Sequence, residues 1–222
     1  PGLDSIHPSG SSASESLTPE QLARHLLSGG EINLAPQPAS TSDWPEFLPV
    51  SSELAPISPL TQFTPLRRLI IDLPLHQLVP GFASEADAIA LRAGLLQFHD
   101  DLDASHASSQ SIEGRGLHKS GDYWHAIMHR REPDYSNAKY WFRHVGEHPI
   151  FPSLGEYLRL LSPTLPAALS DWSTRLQQGS HGWNPCTFVD LCQAAPRGDQ
   201  PLRDLAQRLQ RREMWLLLEQ TS

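Results

Sequence analysis

From residue 84 to the C-terminus, apolar positions recur every three or four residues in successive blocks, the period of helices with one buried face. The longest block is "SEADAIALRAGLLQFHDDLDASHASSQSIE" (84–113), which has no proline and one glycine. Ser84 is a good N-cap, and Asp87 stands where a capping box places its acidic partner. Ala88, Leu91, Leu95, Phe98, Leu102 and Ala107 keep helical spacing. The pattern predicts one helix of roughly 25 residues, near the upper end for globular proteins. After a loop, "GRGLHKSG" (114–121), the helix "DYWHAIMHRR" must end near Glu132, because Pro133 disfavours helix in the residue before it. Asp134 or Ser136 caps the next helix, "NAKYWFRHV", with Ala138, Trp141, Phe142 and Val145 at core spacing and Gly146 as its stop.

Four further helical blocks follow: "SLGEYLRLLS" (153–162), "PAALSDWSTRLQQG" (166–179), "NPCTFVDLCQAA" (184–195) and "PLRDLAQRLQRREMWLLLEQ" (201–220). Asn184–Pro185 is an N-cap with proline at the first helical position. The last block gathers Leu202, Leu205, Leu209, Trp215 and Leu216 to Leu218 on one broad face. "RRLIID", within 66–79, reads equally as a short strand or as the first turn of a helix. Earlier, only "SLTPEQLARHLLSGGE" has a helical pattern, capped by Thr18, opened by Pro19 and stopped by Gly29–Gly30. The expected fold is therefore all-α: a single multi-helix, bundle-like domain over residues 67–222, behind an extended Pro/Ser-rich N-terminal arm over 1–66 that carries one short helix.

Composition supports that division. Of the 20 prolines in the 222 residues, twelve precede residue 81. Trp44, Phe47 and Phe63 are dense for a linker, so the arm is expected to insert aromatics into a groove. The formal charge of −8 argues against nucleic acid and anionic membranes as partners. No apolar run approaches about 18 residues, so no membrane span is expected. The two cysteines, Cys186 and Cys192, lie six apart and on different faces if they share a helix, which suits a reducing compartment. "PGLDSIHPSG" has neither the basic nor the apolar region of a signal peptide, so a cytoplasmic protein is expected. The chain begins without Met, consistent with removal of an upstream segment.

Charge changes the picture in one place. Between Arg115 and His148 the chain is neutral to basic, and seven of the eleven histidines fall between His99 and His148. Helical positions i, i+4 and i+7 share a stripe about 60° wide. His99, Asp103 and His106 have that spacing on the long predicted helix, and His125, His129 and Glu132 have it on the next. Two such stripes facing one another suit a divalent transition metal, since imidazole and carboxylate are ordinary ligands of zinc, iron and manganese. Glu-x-x-His dimetal sites differ: here one pair is Asp-x-x-His and the other is reversed. A mononuclear site of Asp103, His106, His125 and His129 is the version favoured. "HAIMH" is not a zincin motif, because Ala126 stands where its glutamate would be. A metal-free polar pocket and unconnected histidines are the alternatives.

Aromatic residues around these charges, including Trp124 and Tyr140, suit a small-ligand pocket. An ion-paired structural corner fits them equally well. There is no G-x-S-x-G nucleophile elbow and no Gly-rich phosphate loop.

"DYSNAKYWFRHVG" (134–146) looks like the second half of a Sel1-type or tetratricopeptide helical repeat, with Ala138, Trp141, Phe142 and Gly146 in fitting places. Residues about 95–155, from "DDLDASHASSQ" through "DYWHAIMHRREPDYSNAKYWFRHVGEHPIF", resemble an uncharacterised family of helical proteins of bacteria and fungi. That resemblance carries over no activity and no site residue.

The functional expectation is a small-molecule enzyme or binding protein with a His/Asp-lined pocket, assisted by one divalent metal as Lewis acid or redox centre. A metal-dependent hydrolase and an oxidoreductase both fit. Asp103, His106, His125 and His129 would be ligands, Glu132 a general base, and Arg130 and Arg131 the holders of an anionic substrate group, with Trp124 and Tyr140 in the pocket wall. The alternative is a non-enzymatic helical scaffold for protein partners, resting on the aromatic arm and the amphipathic last helix.

Overall fold

The computed structural model describes residues 70–74 and 84–221; the expected arm over 1–66, with the short helix expected in it and Trp44, Phe47 and Phe63, lies outside them. Eight α-helices follow one another from residue 85: α1 Glu85–Phe98, α2 Leu102–Gln110, α3 Ser120–Arg131, α4 Tyr135–Val145, α5 Phe151–Leu161, α6 Ser170–Leu176, α7 Pro185–Ala194 and α8 Gln200–Thr221. Residues 70–72 are helical, which settles the strand-or-helix ambiguity there. There is no strand among the described residues, and the all-α class expected from the periodicity is the class observed.

Local signals set most boundaries. Ser84 caps α1 by accepting from the Asp87 N–H at 3.2 Å. Asp134 caps α4 by accepting from Asn137 N–H at 3.2 Å, and Asn184 caps α7 by accepting from Thr187 N–H at 3.0 Å. Each satisfies a backbone donor that the first helical turn leaves without a partner. Gly146 ends α4 with φ 72°, a conformation glycine adopts without a Cβ penalty.

The long helix expected over 84–113 is not continuous. It breaks at His99 to Asp101, where Asp100 has φ 57° and the Leu96 carbonyl accepts from both His99 N–H and Asp101 N–H at 3.0 Å. Asp101 then caps a new helix by accepting from Ala104 N–H at 3.2 Å. The turn is also held from outside the segment. Arg131, at the end of α3, donates to the Gln97 carbonyl at 2.6 Å and pairs with the Asp100 carboxylate. A side chain 31 positions away thus holds the broken turn in place. As a consequence His99 caps α1, while Asp103 and His106 ride on α2 with a different axis. The three-residue stripe predicted from one continuous helix does not exist.

All twelve residues of α3 are buried. Ile70, Leu95, Tyr123, Trp124, Phe142, Leu154, Trp183, Phe188 and Leu209 belong to one contiguous core that draws on α1, α3, α4, α5, α7 and α8. Because α3 is enclosed on every side, its polar side chains are interior too and need partners inside the protein. Tyr123 donates its hydroxyl to Glu213 of α8 at 2.9 Å, and Arg130 forms an ion pair with the same carboxylate. The Arg130 guanidinium lies 4.4 Å from the centre of the Phe188 ring.

Trp124 seats in a gap that Gly94 leaves on α1. A Cβ at residue 94 would fall 2.6 Å from two atoms of the indole. Gly94→Ala is therefore expected to force the ring or the helix aside and to destabilise the fold by about 1–3 kcal/mol, the usual range for overpacking. Urea unfolding followed by Trp fluorescence measures it; an unchanged midpoint would show that the contact is looser than it looks.

Candidate metal centre

α3 carries His125 and His129 one turn apart, and α2 brings His106 against them. The ring centres of His106 and His125 are 4.7 Å apart, those of His106 and His129 5.1 Å, and those of His125 and His129 4.8 Å. One ring nitrogen from each of the three lies within 4.8 Å of the other two. His125 and His129 are buried and His106 is half-buried. Ligand nitrogens around one tetrahedral zinc, at bond lengths of about 2.0–2.1 Å, sit about 3.3 Å apart. The donors here lie within 4.8 Å of one another, so a metal would have to draw them closer to reach that spacing.

The three rings differ in their surroundings. His125 is 1% exposed and stacks on Trp141 of α4 at 4.0 Å between ring centres. Neither of its nitrogens has a hydrogen-bond partner among the described residues. Leaving a buried polar atom unmatched costs about 1–3 kcal/mol, so two such atoms on one ring ask for an explanation. Burial, reinforced by His129 and His106, pushes the His125 imidazole down to about 3. Burial and then His106 lower His129, against the opposing effect of Asp134. Both imidazoles are therefore neutral at pH 7, with the lone pairs that a metal needs.

His129 faces the first turn of α4. Its Nδ1 lies 3.9 Å from a carboxylate oxygen of Glu132 and 3.9 Å from one of Asp134. Asn137 brings its side-chain amide nitrogen to 3.1 Å from His129 Nε2. Carboxylates beside the outer nitrogen of an imidazole orient it and raise its basicity toward a metal.

Of the residues singled out by sequence, His106, His125 and His129 do come together. Asp103 is exposed and is not part of the group. It shares α2 with His106 but stands three residues earlier and faces solvent; the break between α1 and α2 detaches only His99 from the stripe. Glu132 is exposed and stands beside His129 at the edge of the cluster, as the C-cap of α3. Arg130 and Arg131 do not hold an anionic ligand: they are 2% and 9% exposed and pair with Glu213 and Asp100. Trp124 is enclosed in the core against Gly94, so it lines no pocket wall. Tyr140 is 47% exposed and packs on Trp141 and His144, not on the three clustered histidines. The sequence reading passed over two residues that the fold puts at the cluster, Asn137 and the ring-stacking face of Trp141. The short turn at 132–134 held the only hint, since it must bring the first turn of α4 back beside the end of α3.

No family model matches the chain, and neither does any curated protein or solved structure. Among the described residues no helix is long and apolar enough to cross a membrane.

Proposed function

We propose that the protein binds one divalent transition metal through His106, His125 and His129, and that it uses this centre as a small-molecule enzyme or binding protein. The observation that carries the reading is the convergence of three ring nitrogens within 4.8 Å, two of the rings being buried. The two unmatched nitrogens of His125 support it, because a metal would satisfy one of them. Zinc, iron and manganese all accept imidazole, and three neutral histidines suit zinc best.

A centre with three protein ligands leaves coordination positions for water or substrate, and a metal held by neutral donors keeps its full charge as a Lewis acid. That chemistry fits hydrolysis or hydration better than ligand storage. The charges beside the cluster are the carboxylates of Glu132 and Asp134, while the nearby arginines are committed elsewhere. An anionic or neutral oxygen ligand would therefore be held by the metal's own charge, and not by the arginines expected from sequence. Glu132 keeps a role at the edge of the site, as orienter of His129 or as base toward a bound water.

Protein purified without an affinity tag is expected to carry about one equivalent of metal by elemental analysis, retained through dialysis and released by a strong chelator. His125→Ala/His129→Ala should carry none while keeping its helical circular dichroism. A parent protein with no stoichiometric metal, even after incubation with zinc, would end this reading.

A further inference from the structure

We infer that the Asp100–Arg131 ion pair positions the metal centre, by holding the bend between α1 and α2 that brings His106 to His125 and His129. This rests on the metal reading given above. α3 supplies two of the three histidines, and two residues beyond His129 it supplies the clamp as well. Arg131 donates to the Gln97 carbonyl in the last turn of α1 at 2.6 Å and pairs with the Asp100 carboxylate in the bend. The two side chains of the pair are 9% and 8% exposed, so salt and water screen it little. α2 starts immediately afterwards, capped by Asp101, and His106 stands on its second turn. The clamp therefore acts a few residues upstream of the one histidine that comes from another helix.

The local sequence favours a different shape. Residues 95–110 contain neither proline nor glycine, and Leu91, Leu95, Phe98 and Leu102 keep helical spacing straight through the bend. Asp100 has φ 57°, a left-handed conformation that is unfavourable for most side chains and that Asp and Asn adopt most readily. One residue thus joins the side chain that tolerates the turn to the charge that Arg131 pairs with. In the bent chain the His106 ring centre lies 4.7 Å from that of His125 and 5.1 Å from that of His129. In a straight helix, α2 would continue along the axis of α1 and carry His106 away from α3.

The consequence is a coupling between the bend and the metal. An ion held by all three histidines binds the bent form alone. It therefore strengthens the bend by the same factor by which the bend strengthens its own binding. The apparent affinity scales with the fraction of molecules that are bent. His125 and His129 stay together on α3 in either form, so straightening removes one donor and leaves two. Asp100 and Arg131 touch no metal in this account; they act through the placement of α2.

The bend is measured without metal by pulsed electron resonance between spin labels on Glu85→Cys and Gln110→Cys, two exposed positions, in the full chain with Cys186 and Cys192 replaced by alanine. One continuous helix would set the two backbones about 37 Å apart, at about 1.5 Å per residue, and the bend shortens that distance. The parent, Asp100→Ala, Asp100→Asn and Asp100→Gly are compared by this distance, by cobalt(II) titration and by thermal melts. Asp100→Ala is expected to lengthen the distance and to weaken cobalt binding by about tenfold or more, which corresponds to a bent fraction of about one-tenth or less. Saturating cobalt should return its distance to the parental value. Asp100→Asn, which tolerates the turn and still offers Arg131 an acceptor, should rescue most of both effects. An Asp100→Ala variant with the parental distance and affinity would overturn the inference. So would a lengthened distance with parental affinity, which would leave the metal centre standing without the clamp. If Asp100→Ala does not fold, Asp100→Gly decides alone: it keeps the turn but gives Arg131 no acceptor, and parental affinity there would overturn the inference. If the parent binds neither cobalt nor zinc, the metal reading itself falls and takes this inference with it.

Discussion

Glu213→Ala is expected to destabilise the protein by about 3–5 kcal/mol, the cost of leaving a buried charge without its partner. Glu213 is 0% exposed and Arg130 2%. Burial alone would lower the Arg130 pKa, but the Glu213 carboxylate, together with Cys192 and Tyr123, offsets it, and the guanidinium is held above its ordinary value. Removing the carboxylate strands that cation between Phe142 and Phe188 and takes the acceptor from the Tyr123 hydroxyl. Glu213→Gln keeps the shape and an acceptor for Tyr123, yet it still leaves the guanidinium uncompensated, so it should lie toward the lower end of the same range. The double replacement Arg130→Met/Glu213→Leu should recover most of the loss, because two apolar side chains of similar volume need no partners. Equilibrium urea unfolding by circular dichroism measures all three. A Glu213→Gln variant within about 1 kcal/mol of the parent would mean that water reaches this ion pair and screens it.

Acid should weaken the fold well above the range where its carboxylates titrate. His148 is 3% exposed, and burial, reinforced by the neighbouring His118, holds its imidazole down at about 3. The Ile150 N–H donates to Nδ1 at 3.4 Å, so the proton of the neutral ring sits on Nε2, 3.5 Å from the Ser120 hydroxyl. A second proton on Nδ1 would meet that N–H head-on. The unfolded chain has no such constraint and takes up the proton near pH 6.5. Stability is therefore complete above about pH 6.5, where both states are neutral at this residue. It is lost as pH falls from there toward 3, at about 1.4 kcal/mol per pH unit. Three and a half units come to about 4.8 kcal/mol, a large share of a typical domain stability of about 5–15 kcal/mol. His148→Gln, which cannot titrate, should be less stable than the parent at pH 7.5. Its stability should nonetheless fall with acid less steeply, by about 1.4 kcal/mol per unit between pH 6 and 4. Equal slopes for the two proteins would show that His148 is protonated in the native state. Tyr123, whose ring centre is 4.9 Å from that of His148, links this corner to the Glu213 pair.

The histidine cluster shows how far a linear pattern reaches. His125 and His129 were legible because they belong to one unbroken helix, where the spacing of four residues fixes a shared face. His106 came out right for a wrong reason. The stripe that nominated it assumed a helix running through Asp100, and the real chain turns there before α2 begins. Asp103 stays on α2 with His106, but its position there is exposed, away from the two histidines of α3. Arg130 and Arg131 looked free because their partners, Glu213 and Asp100, are 83 and 31 positions away. Neither pair falls within the few turns over which helical periodicity links residues. Asn137 was invisible for the same kind of reason: its interest lies in a residue of the preceding helix, reached across a turn.

The sequence by itself determined the helices, because their signals are local. Periodicity selects the buried face, and Ser84, Asp134, Asn184 and Gly146 satisfy or release backbone groups within a few residues of themselves. It also determined that histidines would be concentrated on consecutive elements in the middle of the chain. Only the tertiary structure decided where a helix is interrupted by a side chain from another helix. It alone decided which charges are consumed in internal pairs and which three imidazoles share one point. Those outcomes depend on distances through space between residues remote in sequence, and on the enclosure of α3, which turns each of its polar groups into a demand for a partner inside the fold.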